Sequence, residues 1–171
     1  GQGLVPMPDF SMYKDQIKAE AIAAGQYYSG NFSITNKSSV NVTAPLYVEG
    51  NANLTGISFS GKGTIYAGGK INVTGSSTNY NSLSKICIYS GYTSTSKADA
   101  AIDFSGSDKN ITGILYAPNG SILVTGKGYT FYGNIIGRSV DIAGSNKFFR
   151  GATNIEESFP YGTSASYALV Q

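Results

Sequence analysis

An internal repeat of about 20 residues constrains the fold of this chain more than any other feature. Four units place a tyrosine between an apolar residue and a small or apolar one, and they are centred on Tyr47, Tyr66, Tyr89 and Tyr116. A second landmark, an apolar residue followed by a polar or small residue and a glycine, ends at Gly56, Gly75, Gly106, Gly126 and Gly144. Such a period indicates a solenoid, in which each turn packs only on its neighbours.

The runs within each repeat have the alternation of β-strands. Apolar and polar residues alternate with period two, which is typical of a strand with one buried face. Glycine ends nearly every run, where a sharp corner requires a positive φ. We therefore predict an all-β fold, a right-handed parallel β-helix (solenoid) with about 20 residues per turn over residues 27–150. The right hand follows from the handedness preference of parallel crossovers.

One N-terminal α-helix is predicted within residues 1–26, ahead of the solenoid. Asp9 is a suitable N-cap and Gly25 a suitable C-terminal stop. The apolar face of this helix consists of Phe10, Tyr13, Ile17, Ala21 and Ala24. We expect the helix to cap the first turn, with docking of a partner helix as the alternative. Residues 151–171 depart from the repeat and are interpreted as a C-terminal extension packed back on the solenoid.

Composition narrows the possible classes of protein. Charged residues make up 13% of the chain and the net charge is +2, so no nucleic-acid-binding surface is predicted. No apolar run approaches the ~20 residues needed to cross a bilayer. Membrane attachment would therefore require a segment upstream of Gly1. A surface rich in Ser, Thr and Asn fits an extracellular or cell-surface location.

The chain has few groups suited to catalysis. Histidine is absent, which excludes Ser-His-Asp and Cys-His mechanisms and His-ligated metal sites. Carboxylates that flank a sugar cleave polysaccharides in some solenoids, and here Asp99, Asp103 and Asp108 form the one acidic cluster. Because these three lie on a loop end, a strand and a corner, we predict no catalytic residue, no metal site and no cofactor. A polysaccharide-active enzyme using them is the alternative.

Cys87 is the only cysteine, so no disulfide can form within the chain. Alternation places it on the outer side of its strand, away from the interior that Ile86 and Ile88 face. We interpret it as a small strand residue, and pairing of its thiol with a partner is the alternative.

Tyrosines supply the candidate binding residues. Tyr47, Tyr66, Tyr89 and Tyr116 recur at one position in successive turns, so their rings should form an outward ladder. This ladder either packs under the helix or the C-terminal extension, or stays bare and offers an aromatic strip to sugars or proteins. Two insertions, 76–84 and 91–99, are expected to form neighbouring loops on one face. They add Tyr80 and Tyr92 as tentative binding residues.

Several stretches together resemble a known family. They are Met-Pro-Asp-Phe-Ser-Met-Tyr-Lys from position 7, Leu-Tyr-Val-Glu-Gly-Asn-Ala-Asn-Leu-Thr-Gly from position 46 and Gly-Ile-Leu-Tyr-Ala-Pro-Asn-Gly-Ser-Ile-Leu-Val-Thr-Gly from position 113. They are similar to solenoid ectodomains behind prepilin-type helices in PilX-like bacterial pilus and surface proteins. The resemblance implies a non-enzymatic extracellular structural or adhesion module. Its partners would be other pilus or cell-surface proteins and glycans. A self-assembling filament of stacked solenoids is a further alternative.

Overall fold

The computed structural model describes residues 11–35, 40–57, 59–75 and 86–151. In these ranges the chain forms one α-helix followed by a parallel β-solenoid of about five turns, which confirms the predicted all-β architecture. The right-handed winding stays a prediction. No helix in the described ranges combines the length and the apolar character that a membrane crossing requires.

The elements follow one another in a regular order. Helix α1 spans Lys14–Ala23, after a short 3₁₀ turn at Ser11–Tyr13. The strands are β1 (Tyr27–Tyr28), β2 (Phe32–Thr35), β3 (Val40–Asn41), β4 (Leu46–Val48), β5 (Ala52–Thr55), β6 (Phe59–Ser60), β7 (Gly63–Ala67), β8 (Ile71–Thr74), β9 (Ile86–Ser90), β10 (Ile102–Phe104) and β11 (Ser107–Arg150). A second 3₁₀ turn, Lys97–Asp99, lies between β9 and β10.

The strands stack into faces, and every pairing between them is parallel. Face A consists of β1, β4, β7, β9 and residues 113–116 of β11. Face B consists of β2, β5, β8, β10 and residues 122–124 of β11. Strands β3 and β6 pair on a third side. Each coil of the chain therefore contributes one strand to face A and one to face B.

The long strand β11 bends at a glycine where it leaves face B. Gly126 has a φ of +115°, and a Cβ atom there would lie 1.6 Å from the carbonyl oxygen of Gly106 in the turn below. Only glycine tolerates both this backbone conformation and so close an approach. The predicted need for glycine at the corners is thus confirmed at this position.

The interior of the solenoid is filled by columns of apolar side chains in register. On face A one column contains Leu46, Ile65, Ile88 and Leu115, and on face B another contains Leu54, Val73, Phe104 and Val124. These side chains are at most 2% exposed. Full burial of such a side chain contributes about 1.5–3 kcal/mol relative to exposure, so these columns hold the turns together.

Helix α1 has the predicted C-terminal stop at Gly25, two residues after its last residue Ala23, but it does not lie over the end of the coil. The amide of Gln26 donates to the carbonyl oxygen of Ala21, and that of Gly25 donates to Ile22, the two bonds of a Schellman cap. Ile17 and Ala21 are fully buried against the outer side of face A. The expectation that the helix caps the first turn is therefore wrong, because its apolar stripe finds an apolar wall along the side.

Other predictions concern residues outside the described ranges. These are the loop 76–84 with Tyr80 and all of the extension 151–171 except Gly151. The prediction of Asp9 as the N-cap is wrong, because α1 begins at Lys14 with Tyr13 at its N-cap position and no side-chain capping bond.

Candidate functional site

The predicted tyrosine ladder exists in the expected register. Tyr27, Tyr47, Tyr66, Tyr89 and Tyr116 pair one above the next along face A. The rings of Tyr47 and Tyr66 stack with centroids 4.5 Å apart, and those of Tyr66 and Tyr89 meet edge to face at 5.0 Å. The ladder points away from the interior, as the alternation predicts.

This ladder is not a bare aromatic strip. Tyr47, Tyr66, Tyr89 and Tyr116 are at most 4% exposed, and they form a second apolar cluster with Ile17, Ala21, Cys87 and Ile114. Burial raises the pKa of the Tyr47 hydroxyl above its usual range. The four residues are therefore buried and do not form an open binding surface in this structure. Helix α1 supplies Ile17 and Ala21 to the cluster that buries them.

Cys87 belongs to the same cluster and is fully buried. Burial raises the pKa of its thiol, so the reactive thiolate form is disfavoured. The interpretation of Cys87 as a small strand residue is supported, and the thiol is not accessible to a partner.

A salt bridge between Lys18 and Glu49 joins helix α1 to the edge of face A. The Nζ of Lys18 lies 2.5 Å from Glu49 Oε1, and the Tyr27 hydroxyl donates to the same oxygen at 3.2 Å. Lys18 also lies 5.2 Å from the centroid of the Tyr27 ring. The bond from Lys18 lowers the pKa of Glu49 and in turn raises that of Lys18.

The insertion 91–99 is tied to the outside of the solenoid by Asp99. One carboxylate oxygen of Asp99 pairs with Lys70 Nζ, and the other accepts a bond of 2.8 Å from the Tyr92 hydroxyl. Lys70 Nζ also lies 5.2 Å from the centroid of the Tyr92 ring. The bonds from Lys70 and Tyr92 lower the pKa of Asp99. Of the five predicted binding residues that the structure describes, Tyr92 is thus the one that lies half-buried in a polar cluster.

Ser121 fixes the middle of the same loop. Its hydroxyl donates to the carbonyl oxygens of Ser94 and Ser96 at 3.2 and 2.9 Å, and its amide also donates to Ser94. The loop therefore has a defined shape on the solenoid.

Next to Lys70, the outer side of face B forms a polar depression of about 340 Å³ that we call the Asn groove. Its polar lining consists of Asn31, Ser33, Asn51, Asn53, Lys70 and Asn72, and Phe32 lies at its first-turn edge. Asn31 Oδ1 accepts the amide of Asn51, and Asn51 Oδ1 accepts the amide of Lys70, both at 2.8 Å. The amide group of Asn72 donates to Asn53 Oδ1 at 2.9 Å. The groove is thus ordered by bonds between successive turns.

Of the three acidic residues considered for an enzyme, the structure describes the side chains of Asp99 and Asp103. Asp99 is engaged with Lys70, and Asp103 lies beside Asn72 on face B with Oδ1 buried and unpartnered. The side chain of Asp108 lies outside the described part. Among the described residues, no three Asp, Glu or Cys side chains converge as ligands for a metal ion.

Sequence reasoning missed the Asn groove, although the chain contains its signal. Asn31 and Asn51 each follow a glycine at matching points of successive turns, and Lys70 follows Gly69 one turn later. Asn53 and Asn72 pair in register two positions further along their strands. A search for polar residues in the register of the tyrosines would have found both columns.

Comparisons with known proteins identify the family of this chain and no individual relative. No curated protein and no solved structure matches the chain. One family model, described as "Domain of unknown function (DUF7305)", matches residues 8–151. Because this match spans most of the solenoid and its helix, the protein belongs to the DUF7305 family.

Proposed function

We propose that this protein is a non-enzymatic structural and adhesion module, displayed outside the cell as part of a pilus-associated or surface-anchored bacterial protein. The observation that carries this proposal is the attachment of the loop 91–99 to the solenoid through Asp99, Lys70 and Tyr92. An ordered loop beside an ordered groove is a surface prepared for recognition, because little conformational entropy is lost on binding.

The scaffold beneath this surface also suits a role in adhesion. The interior columns and the tyrosine ladder bury both sides of face A, so the turns are held from inside and outside. A site built on strands of such a scaffold keeps its geometry better than one on free loops. The resemblance to pilus-associated ectodomains supports the extracellular location.

Display and attachment can be tested in one bacterial strain. The full gene is expressed in its own host with an epitope tag, and intact cells are treated with a protease that cannot cross the envelope. We expect loss of the tag signal from intact cells, and weaker attachment to surfaces or to other cells when the gene is deleted. Full protection of the tag, together with unchanged attachment, would contradict the proposal.

Asp99→Ala tests the role of the loop. The substitution releases Lys70 and Tyr92, so we expect several-fold weaker attachment with the protein still displayed. Asp15→Ala, which removes an exposed carboxylate on α1, is the matched control and should attach like the wild type. Equal attachment by Asp99→Ala would remove the loop from the proposal.

A filament subunit is a second candidate, favoured by the last described turn. Val140 and Ile142 are 42% and 47% exposed. Gly144 stacks on Gly126, so these two residues continue the interior columns of face B into the last described turn, where they are exposed. Stacking of a second molecule would bury them. Light scattering should then show a mass that rises with concentration, and Val140→Asp should abolish the rise. A constant monomer mass would eliminate this candidate.

A further inference from the structure

We infer that the Asn groove binds a neutral oligosaccharide whose chain runs along the solenoid axis, across the first three turns. This inference deepens the proposed adhesion function and rests on it for its biological setting. It assigns a ligand class to a surface that faces away from the tyrosine ladder.

The groove is a grid of polar side chains in two columns. Asn31, Asn51 and Lys70 occupy the corner that precedes each strand of face B, one turn above another. Ser33, Asn53 and Asn72 occupy the outward positions two residues further on. Stacked strands lie about 4.8 Å apart, which is close to the length of one pyranose unit in an extended chain. Each turn can therefore meet one sugar.

The side-chain amides of this grid present donors to the groove. Asn31, Asn51 and Asn53 each use Oδ1 to accept a bond from the next turn. Their Nδ2 groups have no partner within the described part of the chain, and all three residues are exposed. Sugar hydroxyl and ring oxygens are the acceptors that such amides bind, while Ser33 and the Oδ1 of Asn72 offer acceptors in return.

The charges around the groove favour a neutral sugar over an acidic one. Lys70 is its one cationic side chain among the described residues, and it is already paired with Asp99. Asp103 continues the column of Asn53 and Asn72 into the fourth turn. At the fourth-turn end of the groove, a carboxylate on the ligand would be repelled by Asp103. No unpaired cation of the groove would offset this repulsion.

Aromatic rings flank both ends of the grid. At the first turn, Tyr28 is 38% exposed and packs on Phe32 with centroids 4.3 Å apart. At the third turn, the half-buried ring of Tyr92 lies beside Lys70. The flat apolar face of a pyranose ring packs well on such side chains, which have an apolar body and a polar tip.

The test is titration calorimetry of the purified full chain with neutral gluco-, xylo-, manno- and chito-oligosaccharides, with oligogalacturonate as the acidic probe. We expect one neutral series to bind, with affinity that grows with chain length up to the span of the groove and is insensitive to salt. The double variant Asn53→Ala/Asn72→Ala should lose roughly tenfold or more in affinity, because hydrogen bonds from both residues disappear. Asn119→Ala, an exposed asparagine outside the groove, is the matched control.

Ser33→Arg provides a second variant that fills the groove and leaves the hydrogen bonds described between its asparagines and Lys70 in place. It should abolish binding while the denaturation midpoint stays that of the wild type. Failure of every neutral oligosaccharide to bind, equal affinity of both groove variants and the wild type, or a preference for oligogalacturonate that vanishes in salt would each overturn the inference.

The two proposals can fail separately. A protein that is displayed and mediates attachment but binds no neutral sugar contradicts the sugar groove alone. A protein that binds a neutral sugar in solution but is protected inside intact cells contradicts the proposed extracellular function alone.

Discussion

Faces A and B are built from the same coils and yet end in opposite environments. Both use alternating strands whose inward residues fill the interior, and they differ in what points outward. Face A carries a buried tyrosine column that packs with α1, whereas face B carries an asparagine grid that faces solvent. The inward residues determine the solenoid, and the outward residues determine what each face does.

The two outward columns also differ in the contacts that their side chains make with the turns above and below. Tyr47 contacts the rings above and below it and is 1% exposed, so its contribution comes mainly from burial of an aromatic side chain. Asn53 accepts a side-chain bond from Asn72 and stays exposed. The first arrangement gives stability, and the second leaves polar groups available to a ligand.

Removing a ring from face A should have the largest effect on stability. Tyr47→Ala leaves a cavity between Tyr27, Tyr66 and the helix, and should lower the free energy of unfolding by about 3–5 kcal/mol. Urea denaturation measures the change. Tyr47→Phe keeps the ring and should cost only about 1 kcal/mol. A Tyr47→Ala protein as stable as the wild type would mean that face A is not a second core.

Loosening the cover of face A should come next. Ile17→Ala removes a fully buried side chain from α1 and should cost about 2–4 kcal/mol. The chain has no tryptophan, and the five ladder tyrosines are among its 13 tyrosines, so tyrosine fluorescence includes the ladder and its quenching by iodide should increase. Ile22→Ala lies on the same helix but is 55% exposed, so it should change neither property. Equal effects of the two variants would refute the packing described for α1.

Acid should loosen the helix through Glu49. Its pKa in the folded protein is lowered from an ordinary value of 4.5, so its stabilising pair with Lys18 is fully present above that value. The stabilisation is lost as pH falls through the lowered pKa. Hydrogen exchange of the α1 amides should therefore be steady from about pH 5 to 8, apart from its intrinsic pH dependence, and accelerate below about pH 4.

Glu49→Gln should remove the acid-dependent part of this acceleration. Lys18 behaves in the opposite sense, since its raised pKa keeps the pair intact below its ordinary value of 10.5. Identical pH profiles for the wild type and Glu49→Gln would show that the pair does not hold the helix.

The smallest effect is expected on face B. Asn53→Ala removes one exposed side-chain bond and should change the free energy of unfolding by no more than about 0.5 kcal/mol. The same urea titration used for Tyr47→Ala measures it, so the two outward columns are compared directly. A loss above about 2 kcal/mol would mean that the grid is structural and would weaken the contrast between the faces.

The sequence predicts the columns but not their surroundings. Alternation around Tyr47 shows that its ring points away from the interior, and the repeat places Tyr66 above it. Whether a ring outside the interior meets water or a helix depends on tertiary packing, which local periodicity does not encode. The stop at Gly25 is predictable because it rests on local backbone bonds, whereas the docking of α1 on the side of the coil is not.

The site shows the same limit. Tyr92 is identifiable as a loop tyrosine, but its contacts with Lys70 and Asp99 join residues from different turns and require the folded coil. Asn51 looks like an ordinary corner residue until stacking aligns it with Asn31. The polar residues of the groove have no hydrophobic periodicity of their own. Their columns can be predicted only from the register of the repeat.

The direction of α1 has a mechanical consequence. Lys14 lies at the level of Tyr66 in the third turn, while Lys18 lies over Tyr27 and Tyr47, and the helix then joins β1 in the first turn. A force that pulls Ser11 outward would break these ring contacts one after another, starting at the third turn. A force along the solenoid axis would strain all of them at once. The helix should therefore detach under weak tension in one direction and resist much stronger tension in the other.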